Sequence, residues 1–157
     1  MNLAPVAKTL ASAASETSDD TQGMILSALA RKLTSAGDSV PEQAERVIRV
    51  IDQFDELSHT LPALHALPKV QEARETLIDE MRGAGYIPID DGAGTRLDPD
   101  FVLHCVAGVR RTNDPEQIDK IAEPVRMGWR VVSVENGATR YVQRPEQVIA
   151  FVERTQG

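Results

Sequence analysis

The chain changes character within nine residues, which read Met81-Arg82-Gly83-Ala84-Gly85-Tyr86-Ile87-Pro88-Ile89. Before this stretch, apolar side chains recur every three or four residues, which is the spacing of one face of a helix. The two glycines end that pattern, and the four residues after them are predicted to be a short extended segment. The sequence therefore predicts an α+β protein, with a helical part first and a small β part second.

Upstream of this junction the sequence predicts three helices. One covers residues 24–33, a second starts near Ser39 with a proline at its first turn, and a third runs from Pro68 to Gly83. The second helix has one apolar face opposite a charged face. That apolar face is predicted to pack against other helices or to be shared in a dimer, and it consists of Val47, Ile48, Ile51, Phe54 and Leu57.

The stretch before these helices, residues 1–20, ends in small, polar and acidic residues. Such a composition buries little apolar surface, so this stretch is predicted to be a flexible N-terminal segment. The helical region is then expected to cover residues 21–85 as a helix pair or bundle.

Downstream of the junction, residues 86–157 are predicted to form a small all-β domain. Four further strands are expected, at residues 102–109, 130–134, 139–143 and 147–152, and the first of these is an apolar run rich in β-branched residues. The dipeptide Asn136-Gly137 is a strong signal for a hairpin turn between the second and third of these strands.

Composition limits the classes of partner. The 157 residues are 41% hydrophobic and 26% charged, with a net charge of -7 and no cluster of Lys and Arg. Binding to nucleic acid or to an anionic membrane needs concentrated positive charge, so neither is expected. No apolar run approaches the ~20 residues that cross a bilayer, and the N-terminus does not resemble a signal peptide. A lone cysteine, Cys105, fits a reducing compartment, and we expect a cytoplasmic protein with this thiol buried.

No pattern in the sequence predicts catalysis. His59, His65, His104 and Cys105 show no spacing typical of metal ligands. Gly92-Ala93-Gly94 has neither the third glycine nor the Gly-Lys-Ser/Thr ending of a phosphate loop, so it is interpreted as a turn. The sequence therefore predicts a protein that is not an enzyme and has no catalytic residue, metal or cofactor. A small enzyme with an unrecognised site remains an alternative, which a cleft gathering the three histidines would support.

An ordered series of short motifs resembles the GrpE-type nucleotide exchange factors. The helix segment Val50-Ile51-Asp52-Gln53-Phe54-Asp55 is similar to that family's helix, and the junction at residues 81–89 is similar to its glycine-ended helix and Pro-Ile strand. The family's later motifs are similar to Leu97-Asp98-Pro99, Gly128-Trp129 and the run from Val142 to Ala150 with Arg144-Pro145. The resemblance covers residues 47–152.

This resemblance implies a function and a partner. In that family the β domain binds the ATPase domain of a DnaK-type chaperone and promotes ADP release. The residues that it implies for partner binding are Arg140 and Arg144 as charged contacts, Tyr141, Gln143 and Ile149 around them, and Trp129 as an aromatic anchor. Two of these have competing interpretations, since Trp129 is also suited to covering a small β core and Arg144 to a solvated hairpin.

Two departures from the family pattern keep an alternative open. The Glu of the family's His-Glu motif is missing next to His104, and Gly23, Gly37 and Pro41 interrupt the long N-terminal helix through which family members form dimers. The homodimer is therefore expected to be shortened, rebuilt or absent. The alternative function is a GrpE-like adaptor that binds another protein without exchange activity.

Overall fold

The structure is a computed structural model that describes residues 1–35, 37, 39–132 and 140–155, with Arg140 and Tyr141 described by their backbone. Within these residues five helices come first and six strands follow, so the predicted α+β class with segregated parts is confirmed. The chain divides into two compact units, Met1–Ala84 and Gly85–Gly157. This boundary lies one residue before the predicted one.

The helical unit consists of five helices. They are α1 (Ala4–Glu16), α2 (Asp20–Thr34), α3 (Val40–Thr60), α4 (Pro62–His65) and α5 (Pro68–Gly83). Two of their starts have side-chain caps: Asp19 accepts a hydrogen bond from the Gln22 N–H at 2.9 Å, and Ser39 accepts one from the Glu42 N–H at 3.3 Å. Because α2 ends before α3 is capped afresh, the helical region is interrupted near Gly37 as predicted. Gly23 lies inside α2 and does not interrupt it, since a single glycine is tolerated within a helix.

Helix α1 lies in the segment that was expected to be flexible. Val6, Ala7, Leu10 and Ala13 are buried on one of its faces, and α1 packs against α2 and α5. The polar composition of residues 12–20 suggested that little would be buried. The four apolar residues before and within that stretch nevertheless recur at helical spacing, and that spacing is sufficient to anchor the helix.

The second unit contains two three-stranded sheets. Strands β1 (Tyr86–Ile89), β4 (Gly128–Val132) and β5 (Arg140–Arg144) form one sheet in the order β1-β4-β5. Strands β2 (His104–Thr112), β6 (Glu146–Glu153) and β3 (Ile121–Arg126) form the other in the order β2-β6-β3. The strand pairs are antiparallel except for β2 and β6, which are parallel.

Most predicted strands are present, and one strand was missed. Strands β4 and β5 pair as the hairpin signal predicted, although the Asn136-Gly137 turn itself lies outside the described residues. Strand β3 was not predicted because its sequence, Ile-Ala-Glu-Pro-Val-Arg, contains a proline and two charged residues. It lies at the edge of its sheet, where a proline is tolerated because one row of N–H groups needs no partner.

Candidate functional site

Four of the six residues implied for partner binding lie on strand β5. Arg140 and Tyr141 begin it, and Gln143 has an exposed side chain. Arg144 ends the strand half-buried, and its Nη2 donates a hydrogen bond to the Met127 carbonyl oxygen. Arg144 therefore takes part in holding β5 against the start of β4, so it is not simply a solvated hairpin residue.

Trp129 lies beside Arg144 in the sheet register but is fully buried, with 0% of its surface exposed. Among the described residues, its Nε1 atom has no hydrogen-bond partner. A side chain in this position fills the core and offers no surface to a partner. The expectation of an aromatic anchor at Trp129 therefore gives way to the competing interpretation, in which it covers the β core.

The residue before it, Gly128, shows why a glycine is needed at this point. A Cβ atom added to Gly128 would lie 2.3 Å from the Glu146 nitrogen and 2.6 Å from the Arg144 carbonyl oxygen. These are backbone atoms of the bend around Pro145, between β5 and β6, so no side-chain movement relieves the contact. The close approach of β4 to this bend thus depends on the absence of a side chain at residue 128.

Ile149 is separated from the other implied contacts because it lies in the second sheet. It is half-buried on the central strand β6, opposite Gly108 of β2 and Glu123 of β3. Arg110 and Glu123 form an ion pair of 2.8 Å between the two flanking strands. The structure thus brings the implied residues of β5 together but does not place Ile149 on the same sheet.

The five residues of the α3 face are all buried within a single chain. Phe54 and Ile51 have 0% exposure, and α3 packs against α2, α4 and α5. In this structure the face lies against helices of its own unit. A homodimer through the same face would require these helices to separate first.

The histidines and the cysteine also have defined positions. His59 lies near the end of α3 and His65 ends α4, whereas His104 begins β2 in the other unit. The open grooves of about 510, 290 and 440 Å³ in the described part of the chain have no histidine in their linings. Cys105 is exposed, so the expectation of a buried thiol is wrong. Side chains alternate along a strand, and the inward position is taken by His104.

His104 is the centre of a polar cluster that the sequence did not reveal. Its Nε2 atom lies 2.7 Å from Asp91 Oδ2 and 3.8 Å from Glu146 Oε1, and its Nδ1 atom accepts the Asp98 N–H at 2.9 Å. His104 and Glu146 are buried, with 2% and 0% exposure. We call Asp91, Asp98, His104 and Glu146 the His104 clasp. Residues 13 and 42 positions apart come together here through the fold, so no local motif signals the cluster.

The donor set raises the question of a metal, since ligand atoms of Asp91, His104 and Glu146 lie within 4.8 Å of one another. In metal sites a histidine that binds through Nε2 usually donates its Nδ1–H to a carboxylate or a carbonyl. Here Nδ1 faces the Asp98 N–H, which is a donor, so Nδ1 carries no proton and Nε2–H donates to Asp91. This polarity fits a hydrogen-bonded clasp and does not fit a metal-bound imidazole.

Burial disfavours the charge on Glu146. Loss of solvation raises the pKa of this carboxyl group, the neighbouring Asp90 and Asp91 carboxylates raise it further, and the Asp91 N–H and His104 act in the opposite direction. Its Oε1 accepts the Asp91 N–H at 3.3 Å, while Oε2 has no partner among the described residues. The clasp therefore joins the turn after β1 to the first residues of β2 and β6 around a carboxyl group whose pKa is raised by burial.

Asp98 organises the segment between this turn and β2. Its carboxylate accepts the N–H groups of Asp100, Val102 and Leu103 at 3.0–3.1 Å. These hydrogen bonds favour the ionised form and lower the pKa of Asp98. The Asp-Pro pair that the sequence singled out thus forms the capped start of a loop with a defined backbone conformation.

Comparison with known proteins adds no assignment, since no protein-family model and no curated protein sequence matches the chain. Among the described residues, no helix has both the length and the apolar character needed to cross a bilayer.

Proposed function

We propose that this protein is a nucleotide exchange factor that binds the ATPase domain of a DnaK-type chaperone and promotes ADP release. The observation that carries the proposal is the placement of the motif residues in the β unit. Gly128 allows the close approach of β4, Asp98 caps the loop before His104, and Pro145 lies at the bend between β5 and β6. The three motifs of the β unit that resemble the GrpE family therefore each have a structural role there.

The mechanism needs no bond chemistry in this chain. The β unit binds the open form of the ATPase domain more tightly than the closed form, and this difference in affinity shifts the population toward the open cleft. ADP then dissociates faster because fewer of its contacts are formed. The chain acts as a binding partner and not as an enzyme, and the exposed part of β5 at Gln143 supplies part of the contact surface.

Measurement of ADP release tests the proposal. A fluorescent ADP analogue is loaded on the DnaK-type chaperone of the same organism, and its release rate is followed with and without the full chain. We expect strong acceleration, which Arg140→Ala reduces by about tenfold because a charged contact at an interface centre is lost. Arg140 is chosen over Arg144, whose hydrogen bond to Met127 makes its removal a change to the fold as well.

The matched control is Arg154→Ala, which removes an exposed arginine just after β6. We expect this variant to accelerate ADP release as the unchanged chain does. An unchanged chain that is folded, yet leaves the release rate as it was, would contradict the proposal.

One observation favours the adaptor as a second candidate. Helices α2 and α3 are separate elements, so the described residues before the β unit do not form one continuous long helix like that of GrpE dimers. If the long N-terminal helix contributes to nucleotide exchange in that family, a chain without it retains protein binding through the β unit and loses exchange activity. An adaptor would bind another protein through its β unit and leave the ADP release rate of the chaperone unchanged.

A further inference from the structure

Two neighbouring apolar side chains are exposed in the segment that Asp98 organises. Phe101 has 62% of its surface exposed and Val102 has 54%. We call residues 98–103 the Phe101 loop. Burial of large apolar side chains stabilises a protein, so two adjacent residues with more than half of their surface exposed contribute less to folding than buried ones, and together they form a candidate contact surface.

The Phe101 loop is held in one conformation by hydrogen bonds. Beyond the three N–H groups that its carboxylate binds, the Asp98 carbonyl oxygen accepts the Phe101 N–H at 3.0 Å. The Asp98 N–H in turn donates to His104 Nδ1, which ties the start of the loop to the buried clasp. The tip is therefore presented by a preorganised loop, and a preorganised contact loses little conformational entropy when it binds.

The backbone at Phe101 has a conformation that its side chain does not favour. Its φ angle is +55°, in the left-handed region where a Cβ atom is crowded and where glycine or asparagine is usual. A bulky aromatic residue thus combines a strained backbone with an exposed ring. Such strain is common at binding sites, where the gain from the partner outweighs the cost to the free protein.

The Phe101 loop and the turn that the clasp joins to it carry exposed carboxylates. Asp100 is exposed next to Phe101, and Asp90 and Asp91 are exposed on the turn that the clasp joins to the loop. Arg96, the cation nearest along the chain, lies on a β-bridge with Lys120. The chemistry complementary to this surface is an apolar pocket with lysine or arginine at its rim.

We propose that Phe101 and Val102 form the apolar anchor of the partner-binding surface and enter a pocket of that kind on the ATPase domain of the DnaK-type chaperone. This inference rests on the proposed function. It assigns to Phe101 the aromatic contact that the sequence suggested for Trp129, which the fold buries.

The test uses the full chain, the nucleotide-free ATPase domain as its probe, and the variant Phe101→Gly. Glycine removes the ring and suits the left-handed backbone, so the thermal midpoint followed by Trp129 fluorescence is expected to stay the same or rise. Loss of a central aromatic anchor is expected to weaken the dissociation constant by about tenfold or more and to slow the accelerated ADP release. The control Val125→Ser removes an apolar side chain of 50% exposure from β3 and is expected to change neither.

Each other result overturns the inference. If the unchanged chain accelerates ADP release, and Phe101→Gly has the same affinity for the ATPase domain and the same effect on release, the proposed function stands. The assignment of Phe101 as the anchor is then wrong. If the unchanged chain neither binds nor accelerates, both are wrong. A fall in the thermal midpoint that accompanies the loss of affinity would give Phe101 a structural role. A sedimentation experiment in which Phe101→Gly separates two copies of this chain, with unchanged affinity for the ATPase domain, would assign the tip to self-association.

Discussion

The Glu146 side chain is fully buried at the start of β6, where its ionised form is disfavoured. A folded-state pKa above the unfolded value means that the group contributes stability below the unfolded pKa, and that this contribution is lost as the pH rises through the folded pKa. The usual value for glutamate is 4.5. The contribution of Glu146 to the stability of the β unit therefore decreases as the pH rises above about 4.5.

The variant Glu146→Gln tests this at the residue scale. Glutamine keeps an acceptor for the Asp91 N–H and cannot ionise, so we expect the stability of the variant relative to the unchanged chain to increase from pH 4 to pH 8. The gain should shrink toward pH 4, where Glu146 is protonated in both states. Urea unfolding followed by Trp129 fluorescence measures the difference in the free energy of unfolding.

Glu116→Gln is the control for this prediction, because Glu116 is an exposed carboxylate of the same unit. It removes one negative charge from the surface, and we expect no increase in the free energy of unfolding at pH 8. A Glu146→Gln variant whose stability follows that of the unchanged chain at every pH would show that the buried carboxylate is well solvated or paired.

At the scale of single elements, a substitution in helix α1 tests whether this helix is packed into the helical unit. Leu10 has 0% exposure and lies on the face of α1 that packs against α2 and α5. We expect Leu10→Ala to lower the free energy of unfolding by about 2–5 kcal/mol, the usual cost of a large-to-small change in a core. Loss of helical circular dichroism at 222 nm during heating measures it.

The exposed Lys8 on the same helix provides the control, and Lys8→Ala should leave the thermal transition nearly unchanged. If Leu10→Ala is equally neutral, α1 does not anchor the bundle, and residues 1–20 are the loosely held segment that their composition suggested.

At the scale of the whole molecule, the question is whether the α3 face joins two chains or completes one. Phe54 is buried among the helices of its own unit. We therefore expect Phe54→Glu to unfold the helical unit, because a carboxylate placed in this core has no partner and its desolvation is costly. Circular dichroism at 222 nm together with the mass in solution separates this result from the dissociation of a dimer.

Arg46→Glu changes an exposed residue of the same helix by two charge units and is expected to leave both the helical signal and the mass unchanged. The result that would favour a shared face is a Phe54→Glu chain that remains helical and has half the mass of the unchanged protein.

Local patterns in the sequence determined most of the elements. The helical spacing in residues 42–58 and 68–83, the cap at Ser39 and the glycines of the junction each act over a few residues, so helices α3 and α5 and strand β1 were predictable. The Asn-Gly signal indicated the pairing of β4 with β5 for the same reason. Strand β3 was not predictable, since a proline and two charges obscure its pattern and only its position at a sheet edge makes it possible.

The tertiary structure decided the arrangement of the candidate sites. The His104 clasp gathers side chains from a turn and two strands that no short motif connects, and the parallel pairing of β2 with β6 places His104 beside Glu146. The fold also determined which aromatic residue is exposed, since Trp129 is buried and Phe101 lies at the surface. Composition alone does not distinguish these two side chains. The sequence determined which segments become helix or strand through short-range sterics and hydrogen bonding, whereas long-range packing alone determined which of their side chains meet one another and which face solvent.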